Sequence, residues 1–200
     1  MSVRIYVEGG FQGSTKAACR QAFRAFFQKV IPGRSFAVIA SGDRSAAFKD
    51  FCLAVKQNRD DYIVLLVDSE EAVAVEPWQH LATRQGDNWQ RPTGTSDDQA
   101  HLMVQVMEAW FLADRRALAE YYGQGFLAAS LPGQANIELI SKADVFRSLQ
   151  HASRNTKTKG EYHKTKHGFD LLEMIDPTLV RAASVHVERL LTVLQRETAA

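Results

Sequence analysis

The stretch YIVLLVDSEE, Tyr62 to Glu71, decides how the rest of the chain is read. Its first six residues are apolar or aromatic on consecutive positions. That is the pattern of a parallel strand covered on both faces, not the alternation of a half-exposed one. The run then passes directly into Asp68, Glu70 and Glu71. A buried strand that ends in the densest local negative charge of its surroundings asks for a physical cause.

Upstream, VRIYVEGG (residues 3–10) reads as a first strand halted by glycines, and SFAVIASG (35–42) as a second. A helix is expected between them from about Ser14. Phe23, Phe26, Phe27 and Val30 recur at i, i+3, i+4 and i+7, while Lys16, Arg20 and Arg24 share another face. Its end falls at IPG (31–33). SAAFKDFCLAVKQN (45–58) repeats the pattern with Phe48, Phe51, Cys52 and Val55. Strand, helix, strand, helix, strand at this spacing specifies a parallel α/β sheet with right-handed crossovers.

Downstream, EEAVAVEPWQHLAT (70–83) reads as helical, and RQGDNWQRPTGTSDDQ (84–99) as a polar loop of a length that is uncommon unless functional or mobile. HLMVQVM (101–107) reads as a fourth strand running into a helix, EAWFLADRRALAEYYG (108–123), stopped at Gly123. Within it Asp114 suits an N-cap for RRALAEYY, and Trp110 and Phe111 suit the core. The remainder is helical. Ser141 and Asp144 form a capping box for KADVFRSLQHA (142–152), and Asp176-Pro177 opens a last helix striped by Val180, Val187, Leu191 and Leu194. The expected organisation is an α/β core over residues 1–123 and a helical C-terminal extension over 124–200 packed on it.

A length of 200 residues suffices for a sizeable core, and 46% hydrophobic with 24% charged residues excludes a disordered chain. The formal net charge of +1 gives no global pull on a polyanion, so any nucleic-acid site has to be a local patch. Cys19 and Cys52 sit among helix-patterned apolar residues, as reduced packing residues rather than a disulfide or metal framework. MSVRIYVEGG lacks the apolar core of a signal peptide, and no apolar run is long enough to span a bilayer. A cytoplasmic location with no membrane partner is expected.

In open parallel sheets, ligands bind beyond the carboxyl ends of the strands. Glu8 closes the first strand; Asp68, Glu70 and Glu71 close the third. If those ends are neighbours, the carboxylates share one crevice and repel unless a cation holds them. Hard oxygen donors without His or Cys favour Mg²⁺ or Mn²⁺. Glycines 9, 10 and 13 leave space beside Glu8 for a substrate backbone to approach. The competing cause is local: Asp68 to Glu71 is also a D-x-x-E capping box, and acids in a first helical turn suit the helix dipole.

A first strand ending in Glu-Gly and a third ending in Asp-x-Glu resemble the Toprim domain of topoisomerases, bacterial primases and overcoming-lysogenization-defect-type nucleases. That resemblance implies that Glu8, Asp68 and Glu70 hold Mg²⁺ for phosphoryl-transfer chemistry. This chain has Asp-Ser-Glu where many Toprim domains have Asp-x-Asp. Nearly the whole chain, through VEGG, LLVDSEE, HLMVQVMEAWFLAD, EYYGQGF, NIELISKADV and YHKTKHGFDLLEMIDP, is similar to the Toprim-related domain-of-unknown-function family numbered 4276. The similarity implies a Toprim-like (Rossmann-like) sheet of about four strands flanked by helices, a helical C-terminal extension, and association with defence-type ATPases. A phosphoacceptor receiver also places an aspartate after its third strand, but normally adds paired acids after the first, where this chain has Glu-Gly-Gly.

Further candidates follow from position. Glu108, where the fourth strand gives way to a helix, would add a carboxylate to the site or act as a base. RNTKTKGEYHKTKHG (154–168) is the basic patch, with five Lys or Arg against one Glu. From it His163, Lys164 and Lys166 are expected to bind substrate phosphates and His167 to move a proton. Lys142, opening a helix, would reach a phosphate, and the loop around Gly94 would help bind the strand. His101 is expected to be structural. The expected activity is that of a Mg²⁺- or Mn²⁺-dependent phosphoesterase, a nuclease cleaving DNA or RNA in a defence-type system. The alternative is a non-catalytic module docked on an ATPase encoded next door, with an oligomer admitted in either case.

Overall fold

The computed structural model describes residues 2–57 and 60–199. Four strands, β1 (Val3–Val7), β2 (Phe36–Ala40), β3 (Tyr62–Asp68) and β4 (Ala100–Met103), form one sheet in the order β2-β1-β3-β4. Every pairing is parallel. The fold is α/β, consistent with a Toprim-like, Rossmann-like layout.

Two helices make the first crossovers, α1 (Gly13–Gln28) from β1 to β2 and α2 (Arg44–Gln57) from β2 to β3. Asn58, the last residue of the expected second helix, lies outside the described residues. Because β1 separates β2 from β3, the chain leaves β1 on one side and returns on the other. The strand order therefore reverses between β1 and β3, and their carboxyl ends flank the topological switch point of the sheet.

β3 is covered on both faces, as its unbroken apolar run requires. Val64 and Leu66 join Val3, Ile5 and Val7 in a core filled by Phe23, Phe26 and Phe27 of α1. Ile63, Leu65 and Val67 join Tyr6 in a second core filled by Phe51 of α2, Trp78 and Leu81. On the α1 side Trp110 stacks on Phe26 with ring centroids 5.0 Å apart. Aromatic pairs of this kind add about 0.5–1.5 kcal/mol beyond the area they bury.

After β3 the chain departs from the expected helix. Residues 69–76 are irregular, and α3 spans only Pro77–Thr83. Proline at the first helical position keeps Glu76 extended at ψ 148°, so the helix starts there and not earlier. The capping box expected for Asp68 and Glu71 does not form. Asp68 Oδ1 accepts instead from the Met107 amide, 2.7 Å away and just past the end of β4 in the chain.

The helix expected over residues 108–123 is two elements. A 3₁₀ segment, Met107–Ala113, gives way at Asp114 to α4 (Arg115–Tyr122). Asp114 is the N-cap, accepting from the Ala117 amide at 3.0 Å. Beyond Gly123 the described residues hold helices and turns: α5 (Lys142–Ser153), α6 (Lys164–Met174), α7 (Pro177–Ala183) and α8 (Val185–Ala199). The Ser141 hydroxyl caps α5 through the Asp144 amide, and Asp176 caps α7 through Thr178. The single last helix read from the apolar stripe is divided at Ser184, whose hydroxyl donates to Glu138 and accepts from the Val187 amide. α6 lies along α1 and carries the end of the basic stretch over the carboxyl ends of β1 and β3.

Candidate metal centre

Glu8 follows β1 directly, and Asp68 ends β3. The two strand tips meet: Glu8 Oε2 accepts from the Asp68 backbone amide at 3.1 Å. Glu70 reaches the same point because its backbone takes φ 69°, a left-handed conformation rare for a residue with a β-carbon. Its amide donates to Gln105 O at 2.8 Å, and the Ser69 amide before it to Met103 O at 2.9 Å. The turn is thus tied to the end of β4. One carboxylate oxygen from each of Glu8, Asp68 and Glu70 lies within 4.8 Å of the others. Among the described residues this is the one His, Cys, Asp or Glu cluster with metal-ligand spacing.

The carboxylates are withdrawn from water to different degrees. Asp68 is 2% exposed, while Glu8 and Glu70 are half-buried. Burial, with the Glu8 charge beside it, pushes the Asp68 carboxyl well above its ordinary range. Burial likewise raises Glu8, against the pull of Arg44. Acids held this way favour a bound cation, because a positive charge removes both the burial cost and the mutual repulsion.

Three cationic side chains face the cluster. Arg44, at the start of α2, places Nη1 3.3 Å from Glu8 Oε2 and also donates to the Asp68 carbonyl. Its other nitrogens are clamped by Asp87, with Nε 2.9 Å from Oδ1 and Nη2 2.6 Å from Oδ2. Trp89 lies against the guanidinium at 4.8 Å and stacks in turn on Phe48. The polar loop 84–99 is therefore ordered, and its Asp87 and Trp89 hold an arginine in the site. Lys142 pairs with Glu70. Lys164, the first residue of α6, stands 3.7 Å from Asp68 and 3.4 Å from Glu108. Burial pulls its ammonium down, but Asp68, Glu108 and Glu8 together push it above its ordinary value.

Glu108 is fully buried behind Lys164, with Oε1 accepting from the Tyr162 hydroxyl at 3.2 Å. Its Oε2 has no hydrogen-bond partner among the described residues. An orphaned carboxylate oxygen in the interior is costly, and a cation answers it. The remaining candidates lie elsewhere on α6. His163 and Lys166 are exposed. His167 is buried against Tyr122 and Tyr162, with Nδ1 accepting from the His163 amide at 3.1 Å. It makes no direct contact with Glu8, Asp68 or Glu70, and its Nε2 has no hydrogen-bond partner among the described residues.

A pocket of about 130 Å³ opens on the cluster, lined by Glu8, Asp68, Arg44, Lys164, Met107 and Phe169 among others. At a share of roughly 30 Å³ per water it holds a few waters or one small ion with part of its shell. The space expected beside Gly9 and Gly10 is taken by the chain itself. A β-carbon on Gly10 would stand 2.7 Å from Lys16 Cα, and one on Gly9 3.1 Å from Cys19 Sγ. These glycines admit the first turn of α1.

Arg44, Asp87 and Trp89 are not legible as site residues in the sequence. Arg44 follows Gly42-Asp43 at the carboxyl end of β2, so the rule that singles out Glu8 and Asp68 also covers its position. Asp87 and Trp89 lie in a loop without pattern, and only the contact with Arg44 identifies them.

Among the described residues no helix is long and apolar enough to cross a membrane. A family model described as a domain of unknown function (DUF4276) matches residues 7–195. No curated protein and no solved structure matches the chain.

Proposed function

The chain belongs to the family described as a domain of unknown function (DUF4276), and from the acidic centre it carries we propose a Mg²⁺- or Mn²⁺-dependent phosphoesterase, a nuclease acting on DNA or RNA. The observation that carries this reading is the meeting of Glu8, Asp68 and Glu70 within 4.8 Å at the topological switch point. An all-oxygen donor set suits a hard divalent ion.

Glu8, Asp68 and Glu70 would hold the ion. Bound there, it would supply Lewis-acid stabilisation of a scissile phosphate and a more acidic water. The protein's own part is positional. The Asp87 and Trp89 clamp fixes Arg44, Arg44 fixes Glu8, and the Met107 amide fixes Asp68. Lys142 and Lys164 balance the acids and meet an approaching phosphate, which an uncompensated acidic cluster would repel. The exposed His163 and Lys166 extend the basic surface along α6 for the rest of a strand. Glu108 is placed to orient Lys164.

The test is incubation of the purified protein with supercoiled plasmid, single-stranded DNA and RNA in Mg²⁺ or Mn²⁺. Cleavage is expected, and Asp68→Asn, which preserves the bond from Met107, is expected to lower it at least a hundredfold. Cleavage that survives Asp68→Asn and Glu8→Gln removes these residues from the chemistry. A second reading, a non-catalytic module docked on an ATPase, is favoured by one observation: every acid of the cluster already faces a cation from the same chain. Silence of the folded protein in all assays, restored by no metal, would select it.

A further inference from the structure

The ion pairs in the acidic centre are not equivalent. Arg44 is immobilised: its side chain is 13% exposed and bound to both oxygens of Asp87, to Glu8 and to the Asp68 carbonyl, with Trp89 on its face. Lys142 is held by one direct bond, to Glu70, and Lys164 only by longer contacts to Asp68 and Glu108. Their side chains are 38% and 51% exposed. The contacts of Lys164, at 3.4 and 3.7 Å, are longer than the roughly 2.7–2.9 Å of a well-made charge-assisted hydrogen bond. Both lysines sit at helix starts, on long stems with water on one side.

We propose that Lys142 and Lys164 are exchangeable counter-ions: a divalent cation entering among Glu8, Asp68 and Glu70 displaces their ammonium groups, which then receive the substrate phosphate. The inference rests on the metal reading above and extends it to how cation and phosphate depend on each other. Lys164 lines the pocket and Lys142 holds Glu70, so a divalent ion among the three acids meets both ammonium groups, and like charges a few ångströms apart in a partly buried site repel strongly. The lysines move and the arginine stays. Once displaced, each ammonium lacks an anion, and a phosphodiester supplies one. No side chain caps α6, so the amides of its first turn add to the attraction beside Lys164. By linkage, whatever phosphate gives the cation, the cation gives the phosphate. Cation binding alone is weakened by the lysines, and cation binding with phosphate present is strengthened by them.

Calorimetric titration of Mn²⁺ into wild-type protein, Lys142→Met, Lys164→Met and the double variant tests this. Each titration is repeated with excess dimethyl phosphate, a stable phosphodiester anion. Lys49→Met on the exposed face of α2 is the charge control, and thermal melts followed by circular dichroism establish that each variant is folded. Without phosphate, each lysine variant is expected to bind Mn²⁺ roughly two- to fivefold more tightly, the equilibrium counterpart of a half-exposed ion pair. With dimethyl phosphate, wild-type affinity is expected to rise, and the rise to vanish in the double variant. Folded lysine variants that bind Mn²⁺ no more tightly than wild type, or a wild-type affinity indifferent to dimethyl phosphate, overturn the exchange while leaving the metal site standing. No uptake by any of the proteins overturns the metal reading, and the exchange with it.

Discussion

Glu70 shows how a single residue can be at odds with its own backbone. Its φ of 69° costs a side-chain-bearing residue on the order of 1 kcal/mol, and the amide bonds to the end of β4 hold it there. Glu70→Gly is accordingly expected to leave stability unchanged or raise it by up to about 1 kcal/mol in urea denaturation, because glycine adopts this conformation freely. The same variant is expected to lose most Mn²⁺ uptake. A clear loss of stability would show that the Lys142 pair outweighs the backbone strain. Glu8, Asp68 and Glu70 are readable from strand ends alone, since a carboxylate closing a buried strand carries a desolvation cost that a cation relieves. The competing helix cap is a sound local reading that fails for a distant reason: the amide of Met107 takes the Asp68 oxygen that a cap would use. Arg44 lies where the strand-end rule applies, at the carboxyl end of β2, but an arginine opening an amphipathic helix looks like any solvated residue until its partners are known.

Among the elements, the strands, the crossover helices and the caps at Asp114, Ser141 and Asp176 follow from pattern, while the 3₁₀ form of residues 107–113 and the break at Ser184 do not. The stretch from Met107 to Leu112, apolar but for Glu108, is 3₁₀ rather than α-helical and ends at Asp114. That carboxylate joins two segments distant in sequence. Oδ1 caps α4 at Ala117, and Oδ2 accepts from the Asp176 amide at 2.9 Å, just before α7. Asp114→Ala removes a cap and strands a half-buried amide, so a loss of about 2–3 kcal/mol is expected by chemical denaturation. Asp114→Asn keeps one acceptor and should lose less. If Asp114→Asn, which keeps the cap acceptor, loses as much as Asp114→Ala, the tie to Asp176 carries the loss and the cap little. The division of the last helix at Ser184 escapes for the same kind of reason. Its apolar stripe continues across the break, while the serine hydroxyl turns to Glu138, 46 residues earlier.

At the level of the whole molecule, the parallel α/β class follows from the element sequence, while the order β2-β1-β3-β4, which makes the ends of β1 and β3 neighbours, and the charge balance around them emerge only from the packed structure. His101, in β4, illustrates how packing sets a property of the entire fold. Burial, with Arg189 nearby, pulls its imidazole down to about 3, and it is expected to stay neutral while bonded to the Asp98 carbonyl. In the unfolded chain the same ring titrates near about 6.5. Between these values the unfolded state binds a proton that the native state does not, so stability rises with pH and is lost as pH falls below roughly 6.5. The slope from this group is at most about 1.4 kcal/mol per pH unit. His101→Leu is expected to flatten that acid limb in denaturation curves taken from pH 4 to 7; an unchanged slope would place the sensitivity elsewhere. The distance in sequence between the acids and their counter-charges has a consequence for synthesis. A ribosome delivers Glu8, Asp68 and Glu108 well before Lys164, so the nascent sheet has to wait with its carboxylates wet or protonated. Until α6 is made, Arg44 alone faces the tips of β1 and β3, and Lys164 completes the charge balance after every strand is in place.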